Sequence, residues 1–244
     1  MGFNPNMSNK EVADLIFLEY KSQKPYLNLD FANVTTTNLE ASREYATGGQ
    51  GAPNRVAFDH SRKGTLKIDT QIATMKLFSM LSGADIESSF KYAKRYELTA
   101  TEEGKLTIPG GDTIVAGTVN VFKGDDDCGT SVKTASISGG EITLQEKIAG
   151  DYIVYAIVNV ASGAKSVKFN SKTFPKAFTI YGVTPWKTED DEIAEMHLTY
   201  YKAVPQSTFE LAFSNTGVIS MSITCDLMAD GDNNIYDMSI IDEE

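Results

Sequence analysis

Residues Leu39–Leu81 read LEASREYATGGQGAPNRVAFDHSRKGTLKIDTQIATMKLFSML and contain the strongest indications of how this chain folds. A polar, glycine-rich segment stands between one strand pattern and a second strand that leads directly into a helix pattern. Its glycines permit backbone angles that other residues avoid, and Pro53 lacks a backbone donor. We therefore expect Tyr45–Asn54 to leave the sheet ladder and to form a loop held out from the core.

A loop of this size leaves two interpretations open. Most connections in compact domains are only about four to six residues long, so a longer polar connection is often a binding segment. The alternative is a solvated surface loop without a partner. The residues of the loop alone do not decide between these two.

The composition is that of a folded protein in water. The chain has 244 residues, 41% hydrophobic and 23% charged, and a formal net charge of −11, which disfavours binding to DNA phosphates. The two cysteines, Cys128 and Cys225, form neither a disulfide framework nor a zinc site, and they predict a reducing cytoplasm. The first residues lack a signal-peptide pattern, and no segment predicts a membrane span.

Alternating apolar residues predict strands along most of the chain. They lie at 27–31, at 56–58 and 66–68 on either side of SRKG, at 114–121, 141–144, 152–160, 167–169, 178–180, 193–201, 209–213, 219–225 and 235–240. One helix of about three turns is predicted between a cap at Asp69 or Thr70 and a left-handed stop at Gly83. Many strands with short turns and one helix predict a mainly β sandwich or barrel.

The chain divides by composition into three parts. Residues 1–24 predict an N-terminal arm, and residues 104–150, rich in Gly, Thr, Ser and Asp, predict a small inserted β subdomain. Residues 25–103 and 151–244 then form the main β domain.

The strings that invite an enzyme interpretation are weak. Asp59-His60-Ser61 contains the residue types of a hydrolase triad, but neighbours in a strand point to opposite faces. The acidic turn that begins at Asp230 lacks the glycine and the glutamate of a calcium loop, and the acids of Glu189–Glu192 are typical of an exposed loop. We predict no catalytic residue, no metal site and no cofactor.

Several stretches together resemble the major tail tube proteins of tailed bacteriophages. They are FDHSRKGTLKI, the helix TQIATMKLFSMLSG, FPKAFTIYGVT with the acidic loop after it, and the closing FELAFSNTGVISMSITCDLMADGDNNIYDMSIID. The resemblance covers Pro25–Ala84 and Phe174–Asp242, whereas the predicted insertion does not match a compact tube protein.

The resemblance implies a structural subunit of the virion tail, assembled in the host cytoplasm and without catalytic activity. Its partners would be copies of itself in stacked hexameric rings, other tail proteins, and DNA passing through the lumen without specific binding. The terminal segments Met1–Lys10 and Ile241–Glu244 would add contacts. The loop 44–55 would contact a neighbouring subunit or ring through Glu44, Tyr45, Gly48, Gly49, Gln50, Gly51, Pro53, Asn54 and Arg55.

Two other functions stay open at the level of sequence. One is a β-sandwich binding module, such as a capsid decoration protein or an adhesin, in which the insertion is the recognition surface. The other, less favoured, is a hydrolase.

Overall fold

A computed structural model describes residues 6–211, 215 and 217–241. The chain is mainly β, as predicted. In chain order the elements are β1 Met7–Ser8, β2 Asp14–Glu19, β3 Pro25–Leu29, β4 Ala32–Thr47, β5 Asn54–Thr70, α1 Met75–Ser82, β6 Phe90–Ala100, β7 Lys105–Thr107, the 3₁₀ turn Pro109–Gly111, β8 Asn120–Lys123, β9 Thr134–Ser138, β10 Glu141–Leu144, β11 Gly150–Val160, β12 Phe178–Thr188, β13 Ile193–Pro205, β14 Met221–Met228 and β15 Tyr236–Ile240.

The chain forms two compact units. The first contains the residues up to Asp85 and those from Val167 onward, and the second is Ile86–Ser166. The second unit is wider than the predicted 104–150 insertion, because β6 pairs with β11 along the whole of both strands. The predicted arm 1–24 includes β2, which is hydrogen-bonded between β12 and β3.

The first unit is built on a nine-stranded antiparallel sheet. Its order is β3-β2-β12-β13-β14-β5-β4, with β1 added to β12 and β15 added to β13. The hydroxyls of Thr37 on β4 and Tyr200 on β13 lie 2.6 Å apart although two strands separate them in the sheet, so the sheet curls strongly. No ladder closes it into a barrel among the described residues.

The concave side of this sheet holds the core of the first unit. Alternate residues of the strands point into it, and α1 packs there with Leu77, Met80 and Leu81, each at most 2% exposed. The strand contributions include Leu15, Phe17, Leu66, Ile68, Ile180, Tyr200, Ile223 and Cys225. This packing fixes the base of β4 and β5.

The helix ends where predicted but begins later. Gly83 has φ 70° and its N–H donates to the Ser79 carbonyl, which confirms the left-handed stop. The predicted cap at Asp69 or Thr70 is wrong, because β5 continues to Thr70 and pairs there with Met221. Thr74 is the cap, and its Oγ1 accepts a hydrogen bond from the Leu77 N–H at 3.2 Å. The helix therefore has eight residues, about two turns.

The second unit consists of two three-stranded sheets that share one core. Their orders are β6-β11-β8 and β7-β10-β9, and side chains from both sheets are buried together, among them Tyr96, Leu106, Val121, Ile142 and Val154. This is the layered arrangement of a small β sandwich.

The C-terminal strands differ from the predicted meander. Phe209 and Leu211 are not in a strand, and Phe213 lies outside the described residues. Phe209 instead contacts the rings of Phe78 and Phe169, with centroid distances of 6.3 and 5.1 Å. The strands β14 and β15 exist as predicted, but each pairs with β13 rather than with the other.

Candidate assembly interface

A two-stranded arm leaves the sheet of the first unit. Strand β14 pairs with β5 only as far as Gly64, which lies opposite Leu39 of β4. Beyond this level β4 and β5 pair only with each other, and we call Leu39–Lys63 the arm. Every residue of the arm is exposed except Gly48, which is half-buried. Eight steps along β4, from Leu39 to Thr47, extend it by about 26 Å before the tip, and β5 carries one extra residue at each of two register shifts.

Gly64 marks the root of the arm for a steric reason. A Cβ at this position would lie 2.8 Å from Leu39 Cδ2 and 3.0 Å from Leu227 Cβ. The missing side chain therefore lets these two leucines close over the strand at the point where the ladder changes from three strands to two.

The geometry of the arm corrects one sequence prediction. Tyr45 pairs with Ala57, and Thr47 pairs with Asn54, so the ladder continues through both ends of the segment that was expected to leave it. Only 48–53 form the connecting tip. The prediction was wrong because it treated glycine and proline as ending the strands, whereas they occupy only the turn between them.

Hydrogen bonds hold the tip in one conformation. Gly49 and Gly51 have φ values of 88° and 82°, and Ala52 has 44°, which is the left-handed region that glycine favours. The Ala52 N–H donates to the Gly49 carbonyl at 3.0 Å, and Arg55 Nε donates to the Gly48 carbonyl at 3.1 Å. The tip is therefore an ordered turn that reverses the arm.

An ion pair crosses the arm between directly opposed residues. Arg43 Nη2 donates to Asp59 Oδ2 at 2.9 Å, and Arg43 Nε donates to Asp59 Oδ1 at 2.5 Å. The hydrogen bond from Arg43 is the main cause of the lowered pKa of the Asp59 carboxyl. Because both side chains remain largely in water, the pair orients the two strands more than it stabilises them.

The opposite face of the arm carries an apolar patch that is open to water. Val56 and Phe58 point to this face, where they lie opposite Ala46 and Glu44, and they are 51% and 58% exposed. Tyr45, on the other face, is 50% exposed. Val56 and Phe58 were not predicted as contact residues, because their alternation was interpreted as a half-buried strand.

A two-stranded ribbon that extends beyond its sheet has few stabilising contacts of its own. A two-stranded hairpin is marginally stable alone in water and normally packs against a third strand or another hydrophobic face. The outer edge of β4 is also unpaired along its length in the described residues, and such edges pair readily with other chains. The arm therefore has the features of a surface that is covered on assembly.

The charge of the arm also favours contact with another copy. The arm contains four Lys and Arg and three Asp and Glu residues, a net charge of +1, whereas the rest of the chain carries −12. Electrostatic repulsion between two acidic subunits is therefore smallest when the arm of one subunit contacts the other.

All the predicted contact residues lie together in the outer part of the arm. Glu44 and Tyr45 belong to β4, Asn54 and Arg55 to β5, and the others to the tip. Of the predicted terminal contacts, Met7–Ser8 forms β1 on β12. Ile241 is 59% exposed. Residues 1–5 and 242–244 lie outside the described residues.

The strings that suggested chemistry have local structural roles. Asp59 binds Arg43, while His60 faces the other side of the arm with its Nε2 4.0 Å from Glu44 Oε1. Asp230 Oδ1 accepts the N–H groups of Asp232 and Asn234, which makes a turn. Among the described residues no group of three or more His, Cys, Asp and Glu side chains could hold a metal ion. In the same part of the chain, none of the helices has the length and apolar character needed to cross a membrane.

An antiparallel β protein with a long exposed arm has the architecture of an assembly subunit. The model of the YomU/Tube protein family matches residues 9–241, so the chain belongs to this family of phage tube proteins. No curated protein matches the chain.

The family membership confirms the resemblance to phage tube proteins. It makes the chain a tube-related structural protein of the virion tail, which assembles with itself and with other tail proteins.

Proposed function

We propose that this protein is the subunit of a phage tail tube, that it forms hexameric rings which stack, and that DNA passes through their lumen during ejection. It has no catalytic role in this proposal. The first unit is the tail-tube β domain and the second unit is an inserted β subdomain. The family match supports the tube, and the net charge of −11 supports a channel that repels DNA phosphates.

The observation that carries the proposal is the exposed arm. It extends about 26 Å beyond the sheet, it presents Val56, Phe58 and Tyr45 to water, and its outer edge is unpaired. A surface that reaches away from its own core contacts a different patch on the next copy, and such a head-to-tail contact builds closed rings or open filaments. The arm is therefore the contact element between subunits or rings.

Removal of the arm tests this proposal. Ser42 and His60 are directly opposed in the ladder, so replacing Arg43–Asp59 by Asn-Gly gives a short hairpin with a favoured turn. The core side chains Leu66 and Ile68 lie beyond the root and are untouched. We expect the variant to keep its β circular-dichroism spectrum and its cooperative unfolding, and to form no rings or tubes in negative-stain micrographs.

A second variant separates the tip from the ribbon. Replacing 48–53 by Asn-Gly joins Thr47 to Asn54, which are opposed, and leaves Val56 and Phe58 in place. We expect weaker assembly than in the natural chain but stronger assembly than in the truncated one. Tubes of normal length from the fully truncated protein, or micrographs of the natural chain without sixfold rings, would contradict the proposal.

A further inference from the structure

An open cleft of 320 Å³ lies on the first unit, between the end of α1 and the coil 167–177 that precedes β12. Phe169 and Phe174 line this cleft, and they are 51% and 65% exposed. Leu81 lines it from the helix. Within the part of the chain that the structure describes, no charged side chain lines the cleft. Two large aromatic side chains open to water at one place are typical of a contact surface, and we call it the aromatic cleft.

Contacts within the first unit fix the walls of the aromatic cleft. Thr173 Oγ1 donates a hydrogen bond to the Ser82 carbonyl at 3.2 Å, and the Thr173 N–H donates to Asn170 Oδ1 at 3.0 Å. The ring of Phe169 lies against that of Phe209 with a centroid distance of 5.1 Å. The cleft is therefore preformed. Its volume is at the lower end of the range of about 300–1,000 Å³ that is usual for pockets, so it fits one or two apolar side chains.

The arm carries apolar side chains that match this cleft. Val56 and Phe58 point to one face of the arm and are more than half exposed. Aromatic rings pair favourably at centroid distances of about 4.5–7 Å. A phenylalanine that enters the cleft beside Phe169 and Phe174 therefore gains ring contacts as well as burial.

The charges beside the two surfaces are complementary. Glu44 is exposed and lies directly opposite Phe58 in the ladder. Lys172 is exposed and stands between Ser171 and Thr173, which both line the cleft. A carboxylate beside the entering ring and an ammonium group beside the cleft favour docking in one orientation.

The ladder register shows in which direction the arm runs. One row across the sheet consists of the successively paired residues Gly64, Leu227, Ala203 and Phe178. Because β14 is antiparallel to both β5 and β13, the arm runs from this row in the direction that leads along β13 to Ile193. Phe58 lies about 16 Å from the row, at five steps of β4 from Leu39 to Glu44.

The aromatic cleft lies on the other side of this row. From Ala203 the chain continues to Gln206, whose N–H donates to the Thr224 carbonyl at 2.7 Å, three steps or about 10 Å beyond the row. The next residue, Ser207, lines the cleft. The arm is one continuous ladder directed away from this point, so it cannot reach the cleft of its own chain.

We infer that the apolar patch of Val56 and Phe58 on the arm of one copy docks in the aromatic cleft of a second copy, with Glu44 beside Lys172. The two surfaces lie on opposite sides of one row of the sheet, so the contact is head-to-tail and repeats from copy to copy. This inference rests on the proposed function, since it names the surface that receives the arm.

Substitution of the cleft rings tests the docking on the full chain. Phe169→Ser with Phe174→Ser should raise the midpoint concentration for assembly at least about tenfold in sedimentation velocity, because aromatic residues dominate the energy of such contacts. Phe174→Ser alone leaves the Phe169–Phe209 contact in place and should raise it at least about threefold. The control is Ile193→Thr, since Ile193 is 72% exposed and does not line the cleft. Unchanged assembly of both phenylalanine variants, or an equal loss in the control, would overturn the inference.

A charge swap tests the orientation. Glu44→Lys and Lys172→Glu should each weaken assembly about two- to fivefold, as expected for an exposed ion pair. Combining them in one chain restores opposite charges at the contact, so we expect assembly to return towards that of the natural chain. A combination that assembles no better than the single variants would overturn the inference.

Mixing two defective chains tests the head-to-tail geometry. The chain in which Asn-Gly replaces Arg43–Asp59 lacks the arm and keeps the cleft, whereas the Phe169→Ser Phe174→Ser chain keeps the arm. At a concentration at which the natural chain assembles, we expect each variant alone to stay monomeric. The mixture should form a one-to-one complex that grows no further, because only one arm and one intact cleft are present.

The outcomes separate this inference from the proposed function. If the natural chain forms tubes and the mixed variants do not pair, the docking is wrong and the tube remains. If the natural chain forms no rings or tubes and the mixed variants pair, the proposed function is wrong and the docking remains. If neither forms, both are wrong.

Discussion

The apolar patch of Val56 and Phe58 on the arm gives the sharpest test of how this protein assembles. We consider the double variant Val56→Thr with Phe58→Thr. Both side chains lie on one face of the arm and are more than half exposed. Threonine is a good strand residue, so the ladder and the Arg43–Asp59 pair on the other face remain.

The expected magnitude follows from the exposed fractions. Full burial of a Val or Phe side chain contributes about 1.5–3 kcal/mol. About half of each side chain is still exposed, at 51% for Val56 and 58% for Phe58, so covering both on assembly contributes together about 2 kcal/mol. Losing this contribution raises the dissociation constant of each subunit contact about thirtyfold. The free energy of unfolding of the monomer should change by less than about 0.5 kcal/mol.

Sedimentation velocity over a concentration series measures this effect. The midpoint concentration for assembly should rise at least tenfold, about one decade per 1.4 kcal/mol, and negative-stain micrographs should show fewer and shorter tubes. Val34→Thr is the matched control, because Val34 is on the partner strand β4 at 47% exposure but lies below the root of the arm. Thermal unfolding of all three proteins checks that the fold is unchanged.

Unchanged assembly of the double variant would refute this reasoning. Equal loss of assembly in the Val34→Thr control would also refute it, since the effect would then not belong to the face of the arm.

Three further predictions concern the Gly83 turn, thiol reactivity and the effect of pH on stability. Gly83→Ala should destabilise the fold by at least about 1–3 kcal/mol, because Gly83 has φ 70° and a Cβ there would lie 2.1 Å from the Phe174 carbonyl oxygen. The control in thermal melts is Gly48→Ala, since a Cβ at Gly48 would have no atom within 4 Å. In the folded protein only Cys128 should react with a thiol reagent, since Cys225 is buried. Both thiols should react in denaturant. Burial raises the pKa of the Cys225 thiol from 9.0 to about 12. Because the thiol ionises more easily in the unfolded chain, the free energy of unfolding should fall as the pH rises from 9.0 to about 12.

Much of the fold was predictable because local patterns agreed with the tertiary structure. The alternation in Tyr152–Val160 predicted β11, and that in 178–180 and 193–201 predicted parts of β12 and β13. Gly83 ended the helix as predicted, since a left-handed position requires little more than the local chain. Strand alternation and the helix stop depend on residues that are close in sequence, so both can be predicted from residue type and spacing.

The start of the helix was not predictable for the opposite reason. Asp69, Thr70 and Thr74 are all good capping residues, and the choice among them depends on the pairing of Thr70 with Met221, which lies far along the chain. The pairing of β15 with β13 instead of β14 likewise depends on residues that are far apart in sequence. Long-range register decided both.

The sequence by itself determined that this is a mainly β, acidic phage tube protein with an excursion between β4 and β5. It did so because strand alternation, net charge and family motifs are properties of the linear chain. Only the tertiary structure decided that the excursion is a paired arm, with Val56 and Phe58 exposed. The physical reason is that alternation shows which side chains share a face, whereas burial of that face depends on which distant strands cover it.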